Sequence, residues 1–412
     1  MFANVRSELT SFLPKEKAFI LFVMLADFLI SAEYGITRPA SNSLFLAAFS
    51  SSALPWIWLA TVPLNLLAVS LYNRFLGKLG PLRMLGTIAV LIVVVNSSTA
   101  LFLEQFPSLI FLQFMWKDIY ILFMYKQLWS LTHSTLSQRS AKYVYGLLFG
   151  VGTLGSIVGG LVPGLMAVRL GSEHIFWFTL PCYIALWFSY RKAYSYSQVA
   201  ESPFQPSQEG LRALFNSRLL VSVLLLVVLM QASVGLMEFQ FNMHLEQHIL
   251  DKDLRTEYVG RLLSLTNVIS LFFQLIGSAL LVHTLGVRRS HLMIPILLLA
   301  NALWMISLPT FAVLAGAFVF IKAVDFSLFG VIREMLYIPM RMDEKFRAKA
   351  VIDVFAYRSA KALVAVSVLV LQAVAGTMVS AWVNGAIVAV FVLWLGVVWF
   401  LFRRAYTERA LP

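Results

Sequence analysis

The chain has 412 residues, of which 60% are hydrophobic and only 13% charged, with a mean hydropathy of +0.81 and a net charge of +12. A water-soluble chain of this length would divide into two cores wrapped in charged shells, and it has about half the charge such shells carry, so a soluble fold is excluded. A single cysteine, Cys182, excludes an intrachain disulfide and any cysteine-rich metal site.

The first residues, MFANVRSELTSFLPKEK, contain no short apolar stretch ending in a small-residue cleavage site. They are read as a cytoplasmic lead-in and not as a signal or transit peptide. A membrane helix takes about 20 apolar residues. Spans are placed at 16–39, 54–76, 83–102, 107–132, 141–168, 173–190, 218–243, 258–283, 290–306, 309–338, 348–374 and 378–402. Helices are expected because only helices and closed barrels satisfy their backbone in hydrocarbon, and no strand-length alternation appears. The expected fold class is an all-α integral membrane protein of about twelve spans, in two six-helix halves of the major facilitator type.

The connections test that division. Arg6, Lys15 and Lys17 precede the first span; Arg74, Lys78 and Arg83 flank the second connection; Arg139 and Lys142 the fourth; Arg191, Lys192, Arg212 and Arg218 the sixth. Arg288 and Arg289, then Arg341, Lys345, Arg347 and Lys349, and finally Arg403, Arg404 and Arg409 continue on the same side. The opposite connections are poor in Lys and Arg, so both termini are expected in the cytoplasm, with the short tails favouring a bacterial inner membrane. These loops and anionic membrane lipids account for the net charge, and no basic helix remains for nucleic acid.

Residues 191–217 are rich in Ser, Gln and Pro and read as a cytoplasmic linker between an amino-terminal half, 1–190, and a carboxy-terminal half, 218–412. The halves echo each other. Glu33-Tyr34 and Glu238-Phe239 are separated by 238 − 33 = 205 positions, and Lys117 and Lys322 by 322 − 117 = 205. A shared offset points to a duplicated architecture.

An ionisable side chain at the centre of a membrane helix costs about 2.5–3.5 kcal/mol or more, so each needs a partner or a watery cavity. Asp27, Glu33 and Arg38 lie in the first span; Lys117, Asp118 and Lys126 in the fourth; Glu238 in the seventh; Lys322 and Asp325 in the tenth; Arg358 and Lys361 in the eleventh. They are expected to line one central cavity as substrate-binding or coupling groups. Lys322 and Asp325, three apart, share a helix face and can pair. Arg358 and Lys361 also share a face, and as like charges they need either an anionic substrate or carboxylates from neighbouring helices. Asp27, Glu33 and Glu238 read either as proton-coupling carboxylates, since burial favours the neutral form, or as structural partners of Arg38 or a lysine. His244, Asp343, Glu344 and Asp353 read as gating groups or solvated ends.

Gly150, Gly152 and Gly155 match a dinucleotide-binding spacing, but inside a continuous apolar helix, where that fingerprint has no strand before it. With Gly146, Gly159 and Gly160 they read as small-residue faces for close helix packing. No phosphate-loop, zinc-protease or nucleophile-elbow pattern occurs. Neither an enzyme activity nor a cofactor or metal is therefore expected.

From Asp325 to Lys361 the chain reads DFSLFGVIREMLYIPMRMDEKFRAKAVIDVFAYRSAK. This segment resembles the ATP:ADP antiporter family, the nucleotide transporters of plastids and intracellular bacteria. Ser327-Leu328-Phe329, Arg333-Glu334-Met335, Tyr337-Ile338-Pro339 and Lys349-Ala350-Val351-Ile352-Asp353-Val354 carry the resemblance. Tyr34, Arg38, Trp129 and the run from Tyr145 to Gly160 add weaker echoes. It implies a major facilitator type transporter. The chain departs from the family pattern where Asp325 and Ser41 stand for lysines and Gln127 for an acid. The expected function is secondary active transport, by alternating access, of a small anionic solute such as a nucleotide or another phosphorylated or carboxylated metabolite, coupled to a proton or a counter-anion. The alternatives are a proton-coupled transporter of an unrelated metabolite, drug or metal chelate, and a non-transporting membrane receptor or assembly subunit.

Overall fold

The computed structural model of the chain describes residues 13–136, 138–197, 218–336 and 342–405, and among these every regular element is helical. In chain order the α-helices are α1 (Pro14–Phe49), α2 (Leu54–Phe102), α3 (Leu109–Thr135), α4 (Gln138–Leu170), α5 (Thr179–Tyr196) and α6 (Arg218–His248). After them come α7 (Lys252–Phe272), α8 (Ser278–Ser307), α9 (Phe311–Val324), α10 (Gly330–Met335), α11 (Met342–Ala375) and α12 (Val379–Phe400). Single π turns join α7 to α8 at Phe273–Gly277 and α9 to α10 at Asp325–Phe329.

Eight stretches of the described chain are long and apolar enough to cross a membrane. Two of them, Ser51–Phe102 and Ala356–Arg403, are 52 and 48 residues long. At a rise of about 1.5 Å per residue each covers more than twice a hydrocarbon core of about 30 Å, so each supplies two spans. Helices α3 and α5 complete twelve spans. Their apolar character is diluted by Lys117, Asp118 and Lys126 in α3 and by Arg191 and Lys192 near the end of α5.

Glycines make the turns between paired spans. Helix α2 breaks at Gly80 (φ 73°) and α8 at Gly286 (φ 72°), a backbone region closed to most L-residues. Gly80 precedes Pro81 and Arg83, and Gly286 precedes Arg288 and Arg289. Their separation, 286 − 80 = 206, lies one residue from the offset of the charged pairs.

Several expected boundaries move. The first span runs on to Phe49, so most of the connection expected after residue 39 is helical despite Pro39. The eighth span starts at Lys252, not 258, and α5 continues to Tyr196, into the expected linker. Residues 198–217, the rest of that linker, lie outside the described residues, as do Arg6, Tyr337, Ile338, Pro339 and Arg341.

The chain forms two compact units whose borders differ from the sequence halves. Unit 1 comprises residues 1–50, 63–202 and 249–268; unit 2 comprises 51–62, 203–248 and 269–412. In unit 1, α1 is the central helix, packed on α3, α4 and α5. Lipid is as apolar as a leucine side chain, so close packing and polar contacts hold helices together inside it. Gly155 and Gly159 of α4 serve that close packing, as their spacing predicts: a Cβ at Gly155 would strike the backbone oxygen of Phe28, and one at Gly159 that of Ala32, whereas Gly146 and Gly150, expected to share this role, face open space. Glycine lets the α1 and α4 backbones touch. Unit 2 packs α6 against α9, α11 and α12. Phe241 of α6 stacks on Phe318 of α9, with ring centres 4.3 Å apart.

Candidate functional site

The eleven expected charges divide between the units, and within each they sort into separate clusters. In unit 1, Glu33 is 1% exposed, at the centre of α1. Its Oε1 accepts hydrogen bonds of 2.7 Å from Thr37 Oγ1 and from Tyr120 OH. Thr37 lies one turn along the same helix, and Tyr120 is presented by α3. Glu33 is thus held by hydroxyls, where a pairing with Arg38 or a lysine had been one expectation. The half-buried Arg38 guanidinium lies 6.0 Å from the centre of the Tyr34 ring. Asp27, 4% exposed, faces Gly152 of α4. One turn on, the Ser31 and Tyr125 hydroxyls share a hydrogen bond of 2.6 Å.

On α3, Lys117 is 4% exposed; its Nζ donates to Asp118 Oδ1 at 2.9 Å and lies 3.6 Å above the Phe114 ring. Cation–π attraction strengthens when both groups leave water, so the apolar wall helps to hold this ammonium. Lys126 is exposed, donates to Asn73 Oδ1 at 3.0 Å and stands over Tyr72. Nine residues on from Lys117, it sits about 13 Å further along α3, so the structure does not bring these two cations together.

Unit 2 uses ion pairing. Lys322 Nζ of α9 donates to Glu238 Oε2 of α6 at 2.6 Å, with the lysine side chain 6% exposed and the glutamate 28%. The Lys322–Asp325 pairing that their spacing permits is replaced by partners from α6, because Asp325 Oδ1 accepts from Gln231 Nε2 at 2.9 Å. Asp325 opens the π turn of the tenth span. Such a turn inserts a residue and rotates the rest of the helix, and π turns cluster at functional sites. Arg358 and Lys361 are half-buried on α11. Next to Glu238 in sequence, Phe239 lines a cavity of about 720 Å³ with Trp56, Met243, His244, Gln372 and Ser380. Among the described residues, none that lines it is Asp, Glu, Lys or Arg. Ser380 Oγ accepts from Gln240 Nε2 at 2.5 Å.

Hydroxyls and amides were the groups that a search for charge passes over: Ser31, Thr37, Tyr120, Tyr125 and Gln231. Thr37, four residues after Glu33, was within reach of helical spacing; Gln231 was not, since its partner Asp325 is on another helix. The tyrosines of α3 were not, since their partner is on another helix. Arg255 was also passed over. It is 2% exposed, and its guanidinium donates to the Ile249, Leu250 and Ser43 carbonyl oxygens in unit 1. Its place near a span end made it look like an ordinary loop cation.

Of the residues that carry the family resemblance, Ser327, Leu328 and Phe329 form the π turn, with Ser327 Oγ donating to the Ala323 carbonyl at 2.5 Å. Arg333 and Glu334 lie in α10. Residues 349–354 lie in α11, where Ile352 is buried and the other side chains lie outside the described ones, as do those of Asp343 and Glu344. Two of the three departures are buried: Ser41 is fully enclosed, and Gln127 Oε1 accepts from Tyr190 OH at 3.2 Å.

Comparison with solved structures fixes the fold. The chain aligns with a bacterial homologue of the iron transporter ferroportin (TM-score 0.72, 12% identity, 94% of this chain and 99% of that one). It aligns similarly with an autoinhibited POT family peptide transporter (0.69, 12%, 96% and 97%) and with the nucleoside transporter NupG (0.64, 11%, 95% and 98%). The fold is of the major facilitator type. In sequence, 210 residues are 25% identical to ADP,ATP carrier protein 1 of Chlamydia trachomatis, covering 45% of this chain and 40% of that protein, so the match spans less than half of the relative's length. From residue 201 to residue 405, the chain matches the family described as TLC ATP/ADP transporter.

Proposed function

We propose that the protein is a secondary active transporter, working by alternating access, whose substrate is a small anion such as a nucleotide or another phosphorylated or carboxylated metabolite. The observation that carries this reading is the Lys322–Glu238 pair. It is a buried ammonium on a helix interrupted by a π turn, inside the segment that matches the TLC family. A pair of this kind can open to receive an anion and close when the anion leaves, so the lysine is never left bare. Lys117, 205 positions earlier in unit 1, is also a buried ammonium, but its partner is Asp118, its neighbour on the same helix. Arg358 and Lys361, in the same unit as Lys322, would supply further cationic contacts. The membrane is proposed to be a bacterial inner membrane, with both termini cytoplasmic.

A second reading, a proton-coupled transporter of another metabolite, is favoured by Asp325, Ser41 and Gln127. The resemblance predicts lysines at the first two positions and an acid at the third, and the side chains present are bonded or enclosed. Uptake of labelled ATP into proteoliposomes, with and without ADP inside, separates the readings. ADP-stimulated uptake lost in Lys322→Ala supports nucleotide exchange. Folded protein that takes up no ATP, but moves another solute with a proton, establishes the second reading.

A further inference from the structure

Asp27 differs from the other acids of the transmembrane clusters. Glu33 has two hydroxyl donors, Asp118 and Glu238 have ammonium groups, and Asp325 has an amide. Among the described residues, no hydrogen bond or ion pair holds the Asp27 carboxylate, although the residue is only 4% exposed. Its space is provided by Gly152, where a Cβ would come 2.8 Å from Asp27 Oδ2 and 3.1 Å from Ser31 Oγ.

From these observations we propose that Asp27, in its niche against Gly152, is a proton-binding site of unit 1 that takes up and releases one proton as the transporter works. The proposal deepens the transport reading by naming the coupled ion, and it rests on that reading for the word coupling alone. The step is a simple association: a proton from water binds one carboxylate oxygen and leaves by the reverse path, with no other bond changed. An ionised carboxylate without donors is costly in a low-dielectric interior, and a proton removes that cost without any movement of the helices. A metal cation would need several converging oxygens. Here the neighbouring hydroxyls of Ser31 and Tyr125 are already bonded to each other, and Gly152 presents no side chain.

The surrounding groups leave the proton as the counter-charge. Helix α3 turns the Tyr125 phenol towards Ser31, while the adjacent Lys126 reaches Asn73 of α2. On α4 the nearest titratable group, Tyr145, is two turns away and packs on Trp129. From α5 the Tyr183 and Tyr190 phenols enter the same buried layer, and from α2 comes Tyr72, stacked on Phe123. On α1 itself, Glu33 holds its own hydroxyls, and Arg38 is eleven residues away, about 16 Å along the axis.

Infrared difference spectra of the full chain in lipid bilayers, recorded as the pH is raised, test the site without any substrate. The expected result is a protonated-carboxyl stretch at neutral pH that persists in Glu33→Gln, is missing in Asp27→Asn and changes frequency in Gly152→Ala. The thermal unfolding of Asp27→Asn, an isosteric mimic of the protonated side chain, should match the wild type. Absence of any Asp27-dependent band above the ordinary carboxylate range would overturn the proposal. So would a band that emerges only when sodium is withdrawn, which would make the site a metal-cation site. If the band is present but the folded protein moves no solute, the transport reading fails and the proton site stands.

Discussion

Glu33 in unit 1 and Glu238 in unit 2 stand 205 positions apart in the repeat, and each is an acid on the first helix of its sequence half, yet one is solvated by Thr37 and Tyr120 and the other is neutralised by Lys322. The difference has a chemical consequence. A carboxylate held by neutral hydroxyls can gain a proton and leave no charge behind, whereas protonating Glu238 would strand an ammonium in the same site. On the proposed reading, unit 1 changes charge at Glu33 and unit 2 exchanges one partner of Lys322 for another. Asp27 and Glu33, both on α1, are 4% and 1% exposed, and among the described residues neither forms an ion pair.

The largest effect is expected from breaking the ion pair. Removing one partner of a buried pair costs about 3–5 kcal/mol, and the 28% exposure of Glu238 places Lys322→Ala towards or below the lower end. Thermal unfolding in detergent should show that loss, and transport should fall by more than tenfold. Glu238→Ala combined with Lys322→Ala should recover most of the stability and none of the transport. A double variant no more stable than the single one would mean that Lys322 is held by something other than Glu238.

Next comes the backbone contact that seats α1. Gly159→Val places a branched side chain where even a Cβ meets the Ala32 carbonyl, and overpacking of this kind costs about 1–3 kcal/mol or more. Gly150, on the same helix, has open space around its Cβ position. Gly150→Ala should therefore unfold like the wild type. Equal damage from both substitutions would show that the glycines matter for helix flexibility and not for contact.

The span count, the Gly155–Gly159 contact face and the charged positions were legible in the sequence because each is a local property: a hydropathy window, an i to i+4 spacing, an ionisable residue in an apolar run. What escaped is relational. Lys322 and Asp325 do share a helix face, but the chain carries Glu238 and Gln231 on α6, and those partners were beyond the reach of spacing along one helix. The length of α1 was missed because Pro39 and the serines around it look like a loop on paper, whereas in the fold Ala40, Ser41, Ser43 and Leu44 are all buried inside unit 1. Residues 249–268 pack with the first unit although they belong to the second half by sequence, and no pattern internal to that segment says so.

A smaller effect tests the hydroxyl cluster. Tyr120→Phe removes one of the two donors to Glu33, and a hydrogen bond to a charged group is worth about 1.5–3 kcal/mol, against about 1 kcal/mol for a neutral one. A loss near the neutral figure, with little pH dependence, would mean that Glu33 is already protonated in the resting protein. A loss near the charged figure that shrinks on acidification would mean that it is ionised and takes its proton only at low pH.

The smallest effect isolates what burial contributes. Glu173, in the connection between α4 and α5, accepts from Lys252 Nζ at 2.7 Å, nearly the length of the Glu238–Lys322 bond, but here the lysine is 36% exposed. Burial alone would push the Glu173 carboxyl up, and the hydrogen bond and charge of Lys252 outweigh it and hold the carboxyl below its usual value. A depressed carboxyl contributes stability above its unfolded value and loses it as the pH falls through the folded one. Wild-type protein should therefore lose stability on acidification through and below the ordinary glutamate range, where Glu173→Gln should be flatter. An exposed pair of this kind is worth about 0.2–1 kcal/mol, several times less than the buried one at the same distance. If the two pairs proved equal, their energies would track bond length and not solvent, and the contrast drawn between the ion-paired Glu238 and the hydroxyl-held Glu33 would lose its physical basis.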